Sequence, residues 1–238
     1  MIIAVLCLLV SFIPSVLLYL YLRNLRKDDA EYRLNCRQLL IRGILCSIAV
    51  AFLALAFNIL WNIIGLGKST PLLKKAFDAF ILAAFVEELV KYLTANKVIR
   101  KNQGNVCWLD CIAFVAIVGI GFQLIETVVY MLESNPGQIL VRGFTMGHPA
   151  YGMLMGYFIG KALYTGKQSY RFAAYGLPFL LHGLYDFSLA EELMEINDNF
   201  VFLPFLIVIV ELFLLVRFLL LIRKERHGTK YTEPLTQI

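Results

Sequence analysis

The amino-acid sequence predicts an all-α fold, a polytopic membrane helix bundle with about seven transmembrane helices. The first observation is composition, since 60% of the 238 residues are hydrophobic and 16% are charged, against about 45–50% and about 25% in soluble domains. The second is a series of apolar windows of about 20 residues, the length that spans a bilayer. The third is that most basic residues lie in alternate links between these windows. Together they predict an integral membrane protein.

The apolar windows divide the chain evenly, and no link is long enough to form a separate soluble domain. No basic residue precedes the first window and no small-residue cleavage pattern follows it, so we expect a retained helix. Residues 1–238 are therefore predicted to form a single integral membrane domain. The windows fall near residues 2–22, 39–64, 72–97, 108–132, 139–163, 171–190 and 200–222.

The basic residues indicate how the bundle is oriented. With the N-terminus outside, the cytosolic links hold fifteen lysines and arginines and the outer links hold four. Short cytosolic loops of membrane proteins carry such an excess. The sequence therefore predicts a multi-pass protein with the N-terminus outside and the C-terminus inside. The net charge of +5 fits a protein whose basic residues lie beside the lipid bilayer, so it does not imply that the protein binds nucleic acid. We expect a monomer.

The third window contains charged residues that a plain membrane anchor would lack. The stretch AFVEELVKYL includes Glu87, Glu88 and Lys91, and one central charge costs about 2.5–3.5 kcal/mol on insertion scales. Spacings of three and four residues put all three on one flank of a helix. Lys91 can neutralise one glutamate, which leaves the other carboxylate to accept and return a proton. A structural ion-pair network is the alternative interpretation of this stretch.

Three further windows add ionisable residues. The stretch GIGFQLIETVVY contains Glu126. In the next window, His148 is followed by glycines at four-residue intervals, a pattern that lets another helix approach closely. In LLHGLYDF, His182 and Asp186 are four residues apart, a spacing at which a carboxylate can orient an imidazole.

These ionisable residues are expected at similar depths in the membrane. Counted from the outer ends of their windows, they lie about 4–12 residues deep, or about 6–18 Å at 1.5 Å per residue. Convergence of glutamates and histidines from four helices predicts one shared functional site. The candidate catalytic residues are Glu87, Glu88, Glu126, His148, His182 and Asp186.

The segments that carry these residues resemble the PrsW family of intramembrane proteases. The similarity rests on EELVK (87–91), GFQLIE (121–126), GHPAYGMLMGYFIGKA (147–162) and LLHGLYDF (180–187). They match the EExxK, FxxxE and two histidine segments of the family in order and spacing. The chain is also similar to the CAAX-processing and abortive-infection membrane peptidases. Thr127 departs from the pattern, since PrsW-like sequences favour asparagine there.

The resemblance implies an intramembrane endopeptidase of the bacterial plasma membrane. The implied reaction is the site-1 cut in a single-span, membrane-anchored anti-sigma factor, on its extracytoplasmic side, which begins the release of a stress-response sigma factor. The alternative is a proton-coupled membrane transporter, because buried glutamates and histidines also relay protons. Transporters commonly contain internal repeats and paired broken helices, which are not evident in the sequence.

Two versions of peptide hydrolysis fit the candidate residues. Without a metal, Glu87 and Glu126 would activate water. His148 and His182 would then bind or protonate the oxyanion, with Asp186 orienting His182. With a metal, His148, His182 and Glu126 would form a zinc site and another glutamate would be the base. The sequence lacks HExxH, so we favour a glutamate-centred site with no certain cofactor and keep zinc as the alternative.

Overall fold

The structure, a computed structural model, describes residues 2–65, 70–133 and 136–225. These ranges are helical and contain no β-strand, which confirms the predicted all-α class. The α-helices are α1 Ile2–Ser11, α2 Ile13–Arg23, α3 Ala30–Ile63, α4 Pro71–Phe77, α5 Val86–Lys101, α6 Trp108–Glu133, α7 Pro136–Thr145, α8 Gly147–Thr165, α9 Gln168–Ser188, α10 Glu191–Ile196 and α11 Leu203–Glu225.

Four helical stretches among the described residues are long and apolar enough to cross a membrane by length and composition. The predicted count of seven spans and the predicted orientation remain predictions. The four stretches are Ile2–Arg23, Ala30–Ile63, Trp108–Leu132 and Asp198–Glu225.

The predicted third span is a continuous run of three helical segments. It begins at α4, where the Thr70 side chain caps the helix by accepting the Leu73 N–H. A π-helical segment, Asp78–Phe85, joins α4 to α5. Such segments are rare and often lie at functional sites. Because the π turn is wider than the α turn, the segment changes which flank of α5 faces the bundle. It ends two residues before Glu87.

The predicted fifth span, 139–163, is not one helix. Met146 has a backbone φ of 56°, and this left-handed residue separates α7 from α8. That region of backbone space is uncommon for residues other than glycine. The depth inferred for His148 assumed one continuous helix and therefore does not apply, since His148 is the second residue of α8.

Helix α6 forms the centre of the bundle. It packs against α8, α3 and α5, and 72% of its apolar window is buried within the protein. The other three candidate spans have only 17–22% of their windows buried. Their apolar outer faces are therefore available to lipid, and the ionisable residues lie around α6.

The glycine stripe on α8 explains how closely this helix approaches α6. A Cβ atom added to Gly152, Gly156 or Gly160 would lie no more than 2.7 Å from a backbone carbonyl oxygen of α6. Backbone atoms cannot move aside as a flexible side chain can. The predicted packing role of these glycines is confirmed.

We expect Gly156→Ala to destabilise the bundle by about 1–3 kcal/mol, the usual cost of overpacking. The added methyl group would collide with the Cys111 carbonyl and Ile112 Cα. Gly176→Ala is the matched control, because a Cβ at this helical glycine meets nothing within 4 Å and alanine favours helix by up to about 1 kcal/mol. Thermal unfolding in detergent compares the two variants, and equal midpoints would contradict the close α6–α8 contact.

Candidate active site

The structure brings the six predicted site residues together in the interior of the bundle. Glu87 and Glu88 come from α5, Glu126 from α6 and His148 from the first turn of α8, and α9 contributes a histidine and an aspartate. Each of the six side chains is at most 20% exposed. Residues from four helices therefore form one buried cluster.

Lys91 lies between three of these residues. Its Nζ donates to Glu88 Oε1 at 2.8 Å and to Glu87 Oε2 at 3.4 Å, and lies 2.9 Å from His148 Nδ1. The same ammonium group is 4.3 Å from the centre of the Phe122 ring. The ion-pair network considered from the sequence is therefore present, and it extends to a histidine on another helix.

His182 has a carboxylate partner at each ring nitrogen. Nδ1 is 2.9 Å from Glu88 Oε1, and Nε2 is 3.2 Å from Asp186 Oδ2. The four-residue spacing thus places Asp186 against the imidazole, as the sequence predicts. Glu87 Oε2 lies farther away, 3.9 Å from Nε2. These contacts fix the orientation of the ring.

His148 is held between an acid and an amine. Its Nε2 is hydrogen-bonded to Glu126 Oε2, and its Nδ1 faces the ammonium group of Lys91. A neutral ring satisfies both partners when Nε2–H donates and Nδ1 accepts. Glu126 is also ion-paired with Arg142, whose side chain is 13% exposed. Arg142 therefore lies against the site.

The cluster contains more acidic than basic side chains. The four predicted carboxylates are accompanied by two permanent cations, Lys91 and Arg142. With His148 neutral and His182 carrying a proton on each ring nitrogen, as its two carboxylate partners require, the cluster has a net charge of −1. A buried charge is costly unless it is neutralised. Protons or a divalent cation can neutralise this excess.

Four side chains of the cluster have the chemistry and spacing to hold a metal ion. One ligand atom from each of Glu87, Glu88, His148 and His182 lies within 4.8 Å of the others. Glu88 Oε2 is buried and has no hydrogen-bond partner among the described residues. Imidazole nitrogen and carboxylate oxygen are ligands that zinc takes. Glu126, the glutamate assigned to zinc from the sequence, is not in this group; its carboxylate is bound to His148 and ion-paired with Arg142.

A small cavity lies beside the two histidines. Its volume is about 20 Å³, which is enough for one water molecule. A buried water needs two to four polar partners. Glu87 and Glu88 are outside the lining but contact the same histidines. The cavity is lined by Gln123, Glu126, Arg142, Thr145, Gly147, His148, Tyr151, His182, Tyr185, Asp186 and Glu211.

Two lining residues with functional chemistry, Glu211 and Tyr151, were not among the residues predicted from the sequence. Glu211 on α11 is 1% exposed, and Tyr151 donates a hydrogen bond to its Oε1. Glu211 gave the same signal as the other acids, a carboxylate inside an apolar window, whereas a tyrosine in a membrane helix is not unusual. Thr127 does not line the cavity. Its hydroxyl donates to the Gln123 carbonyl of its own helix.

The fold and the site define a helical integral membrane protein with a buried cluster of acids and histidines that can hold a metal ion. A family model described as PrsW family intramembrane metalloprotease matches residues 35–216. The chain therefore belongs to the PrsW family, as its motifs indicate. The matched region contains all six predicted site residues.

Several curated relatives, each named Protease PrsW, are similar to this chain. The relative from Clostridioides difficile is 29% identical over 77% of this chain and 79% of its own length. The relative from Geobacillus kaustophilus is 31% identical over 48% of this chain, which spans about half (52%) of that relative's length. The relative from Halalkalibacterium halodurans is 33% identical over 59% of this chain and 65% of its own length. No solved structure gives a significant match.

Proposed function

We propose that this protein is an intramembrane endopeptidase that hydrolyses a peptide bond in a membrane-anchored, single-span protein. The observation that carries the proposal is the convergence of acids and histidines from four helices beside a cavity large enough for water. Membership of a family described as intramembrane metalloprotease supports the same reaction. The motif resemblance extends the proposal to the substrate, an anti-sigma factor cut on its extracytoplasmic side.

The proposal places the protein in the bacterial plasma membrane as a seven-span monomer with the N-terminus outside. The fifteen-to-four distribution of lysines and arginines supports this orientation. It puts residues 97–107 on the cytosolic side. Reporter fusions in that segment test the orientation, and an extracytoplasmic signal would contradict it.

Glu87 is the carboxylate best placed to act as general base. Its Oε2 is 3.4 Å from Lys91 Nζ and 3.9 Å from His182 Nε2, whereas Glu88 Oε1 has both of its partners within 2.9 Å. The more weakly bound carboxylate is freer to take a proton from water as the water oxygen attacks the peptide carbonyl carbon. Glu87 then returns that proton to the departing nitrogen as the carbon–nitrogen bond breaks.

The neighbouring groups stabilise the oxyanion and orient the rings. In the version without a metal, Lys91 and His182 supply the N–H donors nearest to Glu87, and such donors stabilise a tetrahedral oxyanion. Asp186 orients His182. Glu126 orients His148, and its arginine ion pair makes it a positioning residue rather than a second base.

Glu88, His148 and His182 are the residues that would hold a metal ion, with Glu87 left as the base. A bound ion would supply Lewis-acid polarisation of water and of the peptide carbonyl. The ligand spacing and the net negative charge of the cluster both support a divalent cation.

We expect chelation to abolish cleavage and stoichiometric zinc to restore it. Metal content supplies a second readout, because the purified protein should bind one ion and His182→Ala, which removes a ligand, should bind little. Elemental analysis of both proteins after dialysis measures this difference. Full activity of metal-free protein would contradict the metal version and favour the glutamate-centred version without a cofactor.

The experiment that tests the function is incubation of the purified protein, in proteoliposomes, with a single-span test substrate. The expected product is a pair of fragments, and mass spectrometry locates the new termini. Intact substrate together with proton-coupled solute uptake would contradict the proposal and favour a transporter.

A further inference from the structure

Outside the family motifs, α11 places another carboxylate at the site. Glu211 is 1% exposed and lines the cavity that His148 and His182 also line. Its helix packs against α8 and α9, the helices that carry these histidines. An ionisable residue inside an apolar span normally has a partner or a function.

Only one oxygen of Glu211 has a hydrogen-bond partner among the described residues. The Tyr151 hydroxyl donates to Oε1, whereas Oε2 is buried without a partner. Gly147 leaves space for this carboxylate, since a Cβ at that position would lie 3.2 Å from Oε1 and 3.3 Å from Oε2. A buried acceptor without a donor is unfavourable, so the cavity is expected to supply the donor.

Tyr151 connects Glu211 to the histidine pair. Its ring is stacked on that of His182, with the centres 5.4 Å apart and the planes 22° apart. The hydroxyl of the same ring is bound to Glu211. One carboxylate oxygen therefore holds the tyrosine in place, and the other remains available to the cavity.

We propose that Glu211 is a water-binding residue of the active site, which accepts a hydrogen bond from a cavity water through Oε2 while Oε1 accepts from Tyr151. The inference rests on the proposed function, because a water held beside His148 and His182 affects catalysis only if these histidines belong to a peptide-hydrolysing site. The cavity has room for about one molecule, at about 20 Å³. The histidines that border the cavity also lie 3.9 Å from the proposed base, Glu87.

Glu211→Gln tests this role because an amide has one acceptor oxygen where the carboxylate has two. In glutamine the single oxygen can lie on the Tyr151 side or on the cavity side, and the amide NH2, which only donates, takes the other position. We expect kcat to fall about 10- to 100-fold, the effect of losing a hydrogen bond to a charged group. KM should change little, because water and not substrate binding is affected.

A second substitution should reverse part of this loss. Tyr151→Phe removes the competing donor, so in the double variant the glutamine carbonyl can turn to the water. We therefore expect the double variant to have a higher kcat than Glu211→Gln alone. Gly147→Ala, which crowds Glu211 and leaves the carboxylate in place, should lower kcat as well. Thermal unfolding of each variant separates these effects from loss of fold.

The outcomes distinguish this inference from the proposed function. A wild-type kcat in Glu211→Gln, or a double variant no faster than the single one, would show that Glu211 is only structural while the protease activity stands. If the wild-type protein cleaves no single-span substrate, the proposed function is wrong and the inference about Glu211 is wrong with it.

Discussion

Glu87→Gln is expected to lower the cleavage rate by about 10²–10⁴-fold, the contribution attributed to acid–base catalysis, while the bundle stays folded. Glutamine keeps the size of the side chain and one acceptor oxygen but cannot accept the proton from water. Lys91 keeps Glu88 as a partner at 2.8 Å, so its charge is not left unpaired. Initial cleavage rates of a single-span substrate measure the effect, and thermal unfolding checks the fold.

Glu195→Gln is the matched control for this substitution. Glu195 is an exposed carboxylate on α10, outside the cluster and the lining of its cavity. The same chemical change there should leave both the rate and the unfolding midpoint at wild-type values. If Glu87→Gln cleaves as fast as this control, Glu87 is not the base and the mechanism must be rebuilt on another carboxylate.

Glu126→Gln is expected to destabilise the protein by at most about 3–5 kcal/mol, because it leaves the mostly buried Arg142 without its ion-pair partner. Arg142 is 13% exposed and is ion-paired with Glu126. Denaturation midpoints of the variant and the wild type, compared at one detergent concentration, measure the loss. An unchanged midpoint would show that the Arg142 charge reaches water or another partner.

Combining Glu126→Gln with Arg142→Met separates the contribution of Glu126 to stability, through its ion pair with Arg142, from its contribution to catalysis. Replacing both members of a buried ion pair with well-packed uncharged groups is often neutral or stabilising, so we expect the lost stability to return. Glutamine can still accept from His148 Nε2–H, so a positioning role predicts activity within about tenfold of wild type. Activity that stays down by about 10²-fold while stability recovers would identify Glu126 as a second base.

The fold class and the composition of the site could be predicted because charges in hydrocarbon are costly. A buried glutamate or histidine needs partners, and the nearest available partners are other ionisable residues inside spans. The sequence alone therefore predicts that the buried ionisable residues lie near one another, as Glu87, Glu126 and His182 do. Helical spacing adds the local pairs, such as His182 with Asp186.

The details that the sequence could not supply depend on contacts between distant segments. The break at Met146 has no glycine or proline at the left-handed residue itself, so a continuous apolar window was the natural interpretation. The partner of Arg142 is sixteen residues away on another helix, which residue spacing within one helix cannot reveal. The grouping of Glu88 rather than Glu126 with both histidines likewise depends on contacts between different helices.

The interruption of the helix at Met146 also has an electrostatic consequence. It creates a new helix N-terminus, that of α8, with His148 in the first turn. Backbone N–H groups at such an end have no partner within the helix, and the aligned peptide dipoles give it about half a positive charge. An unbroken helix would carry this end to the membrane surface. The break instead brings a fixed positive potential, independent of pH, to a cluster with excess acid, and helps the bundle to keep ionised carboxylates within its interior.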